Sequence, residues 1–254
     1  DITSNSNLDI NTFINQPNNI LGIEYIKALM RFNSKINPVP LKRLGAGYHS
    51  LDTRTKLASA TGIRTAMANK DNISGLLPDN CLNIIKNHTT IEYNDFSTVL
   101  GSKLLSMDTL DHIEGINQDL SNRIANNKYN FTDIETFMPM LQSKNYTYSA
   151  ISRALLHIIL DIKTDGLKEF ISNNYVNYAM ILGFNKNTGV LSEISKSTKI
   201  PLVSKFATFY KEADNNQRKM LDINLKADNL YRMIYMNKTS ETLPTEFQRQ
   251  IIIK

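Results

Sequence analysis

A run of hydroxyl-bearing residues followed by an arginine is the part of this sequence best suited to chemistry. Ser59-Ala60-Thr61-Gly62-Ile63-Arg64 lies where the pattern predicts the start of a helix. Hydroxyls and free backbone N–H groups at a helix start bind anions, and the helix dipole adds to that attraction. Arg64, about one turn inside the helix, could make a forked contact to a phosphate. The alternative is a plain helix cap by Ser59 or Thr61 with a solvated Arg64.

A second candidate set lies upstream, at an Asn-rich corner and at the end of a predicted strand. Pro17-Asn18-Asn19 opens a predicted helix, and Lys42-Arg43-Leu44 ends a strand predicted over residues 36–44. Ligands of open α/β sheets lie at the carboxyl ends of the strands, which is where Arg43 falls. The alternative is a capping Asn18 and an exposed Arg43 on an edge strand.

Several familiar catalytic and metal-binding patterns are absent from the sequence. No two of the four histidines form a His-x-x-x-His pair, and Cys81 is the only cysteine, so we predict no metal site. Gly-x-Ser-x-Gly, Walker and Gly-x-Gly-x-x-Gly motifs do not occur. Standard hydrolase, P-loop and dinucleotide-binding classes therefore receive no support. We assign no residue as a catalytic acid or base.

A helix, a strand and a second helix are needed to position the candidate residues. Leu21, Tyr25 and Leu29 recur at a spacing typical of an amphipathic helix, which we expect to fade by residues 33–34. The predicted strand contains two prolines, so we expect it at a sheet edge or starting late, at Val39. This order of elements is typical of the closing part of an α/β nucleotide-binding domain.

After about residue 72 the pattern becomes mostly helical. Helices are predicted near residues 78–87, 92–105, 113–127, 131–143, 146–164 and 225–236. Residues 175–184 fit either a helix or a strand. We therefore divide the chain into residues 1–72, the C-terminal part of a nucleotide-binding α/β domain, and residues 73–254, a mainly helical domain.

Composition limits the class of protein further. Among 254 residues, 29 Lys and Arg against 24 Asp and Glu give a net charge of +5, which permits a polyanionic partner without requiring one. A single cysteine excludes an intrachain disulfide and favours a reducing, cytoplasmic compartment. No run approaches the roughly 18 apolar residues that span a bilayer, so we expect no membrane association.

Three segments, in this order and spacing, carry a resemblance to a known family. They are Pro17-Asn18-Asn19-Ile20-Leu21-Gly22, then Lys42-Arg43-Leu44 with Tyr48-His49, then Ala58-Ser59-Ala60-Thr61-Gly62-Ile63-Arg64. Together they resemble the bacterial tRNA(Met) cytidine acetate ligases, which belong to the HxGH-type nucleotidyltransferases. Further matches at residues 144–148 and 201–205 extend the resemblance through most of the chain. It implies an α/β plus α fold: the closing part of a Rossmann-like nucleotidyltransferase domain followed by a mainly helical C-terminal domain.

The sequence departs from that family at three points. Ser50 stands where the family tends to have Asp, and Asn145 stands where a basic residue is usual. The family's HxGH motif lies upstream of the Asn-rich corner, and no His-x-Gly-His occurs here. We therefore expect an N-terminally truncated chain that is inactive alone. Residues 1–70 are then expected to expose apolar faces that pair with a separate upstream chain or a second copy.

The resemblance implies a two-step reaction with ATP, Mg²⁺ and acetate. Acetyl-adenylate would form first, and its acetyl group would pass to N4 of the wobble cytidine of elongator tRNA(Met). Asn18, Arg43 and Leu44 would contact the nucleotide, and the later motif would hold phosphate through Ser59, Thr61 and Arg64. The rival enzyme hypothesis is another nucleotidyltransferase that acts on a small substrate.

The helical part would carry the tRNA. Basic residues interleaved with tyrosines suit phosphate neutralisation and base stacking. The basic residues are Arg123, Lys128, Lys144, Arg153 and Lys163, and the tyrosines are Tyr129, Tyr146 and Tyr148. One alternative is a solvated helix face with tyrosines half-buried in the core. A non-enzymatic alternative is a helical RNA-binding module that works alone.

Overall fold

The computed structural model describes residue 14 and residues 16–41, 58–173 and 175–254. Contacts divide the chain into two compact units, residues 1–88 and residues 89–254. The break in contacts thus follows residue 88, and a functional domain boundary after residue 72 stays a prediction.

The first unit contains three described helices, α1 (Pro17–Arg31), α2 (Ala60–Ala68) and α3 (Asp79–Asn87). Pro17 opens α1 because a helix's first N–H needs no intrahelical acceptor, and the helix ends before Asn33, whose φ is 47°. No residue of α1 is buried. All three helices were predicted at these places.

The strand predicted at residues 36–44 is wrong for its described part. Residues 34–41 form neither helix nor strand. Pro38 and Pro40 lack the N–H group that a ladder needs, and no described strand pairs with this segment. The remaining residues of the prediction, 42–44, lie outside the described residues.

A helical core forms the centre of the second unit. It is built by α4 (Ser97–Ser106), α5 (Gln118–Asn127), α6 (Ile134–Leu141) and α7 (Tyr148–Leu160), with short 3₁₀ turns at Tyr93–Phe96 and Lys128–Asn130. Ile151, Leu155 and Ile158 of α7 are fully buried, as its apolar stripe predicted. They pack in one cluster with the inward faces of α4, α5 and α6.

Side-chain caps explain where these helices begin. Asn117, Asp133 and Thr147 each accept a hydrogen bond from the backbone N–H three residues ahead, at the starts of α5, α6 and α7. The predicted starts at residues 113 and 131 were therefore too early. Each cap fixes the first turn of a helix whose apolar face then enters the core.

The helix predicted over residues 146–164 ends earlier in the structure, at Leu160. Asp161 adopts a left-handed conformation with φ 56°. Its N–H donates to Ile158 O at 3.2 Å, and the N–H of Ile162 donates to His157 O at 3.0 Å. These bonds close α7 at Leu160, and a new helix, α8, begins at Thr164.

The rest of the second unit combines short strands with four helices. The elements are α8 (Thr164–Ser172), β1 (Ala179–Met180), β2 (Gly183–Phe184), α9 (Val190–Ser197), β3 (Leu202–Val203), α10 (Phe206–Glu212), α11 (Asn215–Thr239) and β4 (Ile252–Ile253). β1 pairs with β3 and β2 pairs with β4, both in parallel. The undecided stretch at residues 175–184 therefore carries strands.

Candidate functional site

The phosphate candidate lies at the start of α2, where Ser59 is a buried helix cap. Ser59 is 1% exposed, and its Oγ accepts a hydrogen bond from the Gly62 N–H at 2.9 Å. The carbonyl of Ser59 accepts from the Ile63 N–H at 3.0 Å. The cap interpretation is thus confirmed for Ser59, whose side chain shapes the helix start.

Capping leaves part of this helix start open to an anion. Within the described residues, the N–H groups of Ala60 and Thr61 have no acceptor, and no acidic residue lies in the first turn. Thr61 is half-buried and Arg64 is exposed, and the Arg64 guanidinium has no described ion-pair partner. Two free donors and the positive end of the helix dipole thus lie at the start of α2, and Arg64 follows about one turn later along the helix.

The other nucleotide candidates are only partly described. Asn18 is the second residue of α1 and is exposed, and no described hydrogen bond joins it to α2. Arg43 and Leu44 lie outside the described residues. Contact of all six candidates with one nucleotide therefore stays a prediction.

Two of the tRNA candidates lie near the end of α5 and have partners. The Nε of Arg123 donates to Asp119 Oδ2 at 3.3 Å. The Lys128 ammonium lies 5.4 Å from the ring centroid of Tyr129, which is 80% exposed. A lysine beside an exposed aromatic ring can bind a phosphate while the ring stacks on a base.

Lys144 and Arg153 are exposed, and within the described residues neither has an ion-pair partner. Lys144 lies in a tight turn closed by Ser143 and Tyr146. The hydroxyl of Tyr146 donates to Asn117 Oδ1, the cap of α5. Tyr146 is therefore used structurally, and it brings the Lys144 turn to the helix that carries Arg123.

Lys163 lies in a basic cluster that the sequence did not reveal. Lys226 of α11 donates to the Leu160 carbonyl at 2.6 Å, at the C-terminal end of α7. Burial, and then repulsion by the neighbouring Lys103 and Lys163, lowers the pKa of the Lys226 ammonium, while Asp161 opposes the shift. Lys103 and Lys226 were not predicted because no local spacing links them to Lys163.

The described part of the chain contains neither a candidate metal site nor a candidate membrane-spanning helix. No cluster of His, Cys, Asp or Glu in it could hold a metal ion. None of its helices combines the length and apolarity that crossing a membrane requires.

Comparison with known proteins shows which family this chain belongs to. The sequence model of the family described as HIGH Nucleotidyl Transferase matches residues 2–246. The chain belongs to this family. The resemblance seen in the sequence is confirmed as well, because the tRNA(Met) cytidine acetate ligase of Thermoanaerobacter sp. (strain X514) is 32% identical over 242 residues. That match covers 92% of this chain, which spans 59% of the relative's length.

Solved structures confirm the fold class of this chain. The apo crystal structure of Thermotoga maritima TmcAL is similar with a TM-score of 0.83 at 23% identity, over 94% of this chain and 61% of that one. A second structure of that protein, bound with alpha-thio ATP, has a TM-score of 0.82 at 23% identity, over 94% and 60% of the two chains. The predicted α/β plus α fold is thus confirmed.

Proposed function

We propose that this chain supplies part of the ATP site and the tRNA-binding region of an ATP-dependent ligase that acetylates a cytidine of tRNA(Met). The observation that carries the proposal is the open helix start at Ala60 and Thr61 with Arg64 beside it, in a chain of this family. The relative from Thermoanaerobacter bears the name of that activity, and the Thermotoga TmcAL binds an ATP analogue.

The chemistry asked of this helix start is positioning and charge stabilisation. Ser59 holds the first turn in place. We propose that the two free N–H groups and the Arg64 guanidinium bind the same anion. Donors fixed in this way hold a triphosphate in line and stabilise the charge that develops as pyrophosphate leaves. Asn18, Arg43 and Leu44 are proposed to contact the nucleoside part of ATP.

The finer steps belong to the same proposal. Acetate attacks the α-phosphate and displaces pyrophosphate to give acetyl-adenylate. N4 of the wobble cytidine of elongator tRNA(Met) then attacks the acetyl carbonyl, and AMP leaves. Mg²⁺ is proposed to accompany ATP, because a divalent cation neutralises the phosphates during such transfers.

The tRNA would cross the second unit over the exposed basic residues. Lys144 and Arg153 are the best suited, because no carboxylate compensates their charges within the described residues. Lys128 with Tyr129 adds a place where a base can stack. Arg123 would have to exchange Asp119 for a phosphate, and Lys163 belongs to the basic cluster at the end of α7.

The test measures ATP binding to the protein and the transfer of radiolabelled acetate to tRNA. Arg64→Ala removes a charge-assisted phosphate contact worth about 1.5–3 kcal/mol, so we expect ATP affinity to fall about ten- to hundredfold. Lys86→Ala is the matched control, since it removes one exposed positive charge from α3 of the same unit.

The outcomes separate the hypotheses. Label in tRNA that is lost with Arg64→Ala and kept with Lys86→Ala supports the ligase. Equal ATP affinities for the two variants would remove the phosphate role of α2. Arg64-dependent ATP binding with no label in tRNA would favour a nucleotidyltransferase for a small substrate.

A further inference from the structure

Two chain segments are fastened together at the C-terminal end of α7. Residues 111–114 and 161–164 pair in antiparallel fashion around the Ile113–Lys163 bridge. The N–H of Thr164 donates to His112 O at 3.1 Å, and the N–H of Glu114 donates to Ile162 O at 2.9 Å. Backbone hydrogen bonds thus hold His112 and Lys163 side by side, rather than leaving them on independent loops.

Helices from two other parts of the chain add lysines to the same place. Lys226 reaches the end of α7 from α11, where its ammonium donates to Leu160 O at 2.6 Å. Lys103 is half-buried in the last turn of α4, a helix that packs against α7, and its charge lowers the pKa of Lys226 by repulsion. The fold therefore gathers three ammonium groups that are far apart in sequence.

Within the described ion pairs, Asp161 is the carboxylate next to this cluster. Asp161 Oδ2 lies 4.0 Å from the Lys163 ammonium, and Asp161 Oδ1 lies 4.0 Å from His112 Nε2. Some lysines elsewhere in the unit have closer carboxylate partners. Lys219 lies 2.6 Å from Glu169, and Lys238 lies 2.7 Å from Asp95. The cluster therefore keeps an excess of positive charge after every described pair is counted.

The negative end of the α7 dipole explains the presence of only one of these positive charges. Its C-terminal carbonyls favour one nearby cation, and Lys226 fills that role. Bringing Lys103 and Lys163 to the same place adds repulsion that a bound anion would relieve. The side chains are open to an approaching ligand, with Lys163 56%, His112 42% and Asp161 40% exposed.

We propose that Lys103, Lys163 and Lys226 bind a backbone phosphate of RNA at the C-terminal end of α7. The inference rests on the proposed function, since it names a further contact of the tRNA. Lysines suit this role because they are mobile point charges that accept a phosphate from many directions, as a polyanion lying across a surface requires. The shared ligand chemistry is a phosphate, which could also come from a free nucleotide.

The variant that tests the site is Lys103→Gln with Lys163→Gln, leaving Lys226 to cap α7. The control is Lys168→Gln with Lys219→Gln, which removes the same charge from lysines already paired with Asp165 and Glu169. Unfractionated tRNA is titrated against the full chain by fluorescence anisotropy at several salt concentrations. Loss of one phosphate contact lowers the slope of log affinity against log salt by about one, and affinity at 0.15 M salt by about fivefold.

Each outcome supports or overturns the proposed phosphate contact. A flatter salt dependence of tRNA affinity in the test variant than in the control supports the site, and Lys103→Arg with Lys163→Arg should restore the wild-type slope. Equal slopes in a wild type that binds tRNA overturn this inference and leave the proposed function standing. A wild type that does not bind tRNA overturns both this inference and the proposed function. Where the double variant fails to fold, Lys103→Gln alone is measured, since Lys103 has no described ion-pair partner.

A second arm separates the two sources of phosphate. ATP is titrated into the wild type and the double Gln variant, and we expect equal affinities. A loss of ATP affinity with unchanged tRNA affinity would assign the cluster to a free nucleotide and overturn the RNA proposal.

Discussion

Gly101 lies on α4 where the ring of Phe131 comes closest to the helix. A Cβ added there would lie 2.9 Å from Cε1 and 3.1 Å from Cδ1 of that ring. The ring packs edge-on against Phe137, with centroids 5.0 Å apart and planes at 76°. Phe137 is fully buried and cannot yield, so Gly101→Ala must push the half-buried Phe131 outward.

The sign of the effect follows from three contributions. Alanine in a helix interior gains about 1 kcal/mol over glycine. Displacing Phe131 forfeits about 0.5–1.5 kcal/mol of aromatic pairing. It also forfeits part of the roughly 1.5–3 kcal/mol that burying the ring contributes. We therefore expect Gly101→Ala to lower the free energy of unfolding by about 1 kcal/mol.

Gly166 of α8 provides the matched control, because nothing lies within 4 Å of a Cβ built there. Gly166→Ala is expected to stabilise by about 0.5–1 kcal/mol, so the two variants should differ by about 2 kcal/mol. Urea unfolding followed by far-UV circular dichroism measures both. If Gly101→Ala proves as stable as Gly166→Ala, the packing of Phe131 on α4 is wrong. Phe131→Leu should reduce the cost of Gly101→Ala in a double-mutant cycle.

Two further predictions concern polar contacts. Burial alone would raise the pKa of Asp95, but the hydrogen bonds from Lys238 and from the Glu92 N–H outweigh it and hold that pKa below its usual value. The ionised Asp95 therefore contributes to stability above about pH 4, and this contribution is lost as pH falls through the lowered pKa. We expect Asp95→Asn to lower the free energy of unfolding by about 1 kcal/mol at pH 7 and by less at pH 3, measured by urea unfolding. Ser59→Ala removes the cap on the Gly62 N–H and should destabilise α2 by about 1 kcal/mol, measured as faster amide hydrogen exchange in that helix.

Sequence reasoning worked where the physical signal is local. The start of α1 at Pro17 and the cap at Ser59 follow from residue types whose side chains act within one turn. The buried face of α7 could also be predicted from its apolar stripe, because one face of one helix enters the core. The end of α7 did not, because Asp161 adopts a left-handed conformation more typical of glycine.

Strand pairing lay beyond such signals. β1 to β4 have two residues each, too few to show an alternating pattern. Their partners lie far along the chain: Gly183 pairs with Ile252, and Ala179 pairs with Leu202. The prolines near Val39 were read as an edge strand, but the described residues 34–41 form no strand, and Pro38 and Pro40 there lack the N–H group that a ladder needs.

The basic residues of the second unit show the same limit more sharply. Spacing along a helix relates residues three or four apart, and interleaving of Lys, Arg and Tyr was the signal used to predict an RNA surface. The fold instead used Tyr146 to support the cap of α5 and paired Arg123 with Asp119. Local composition thus identified a basic region without separating compensated charges from free ones. That separation needs distances between segments, and it is what makes the lysines at the end of α7 the sharper test of RNA binding.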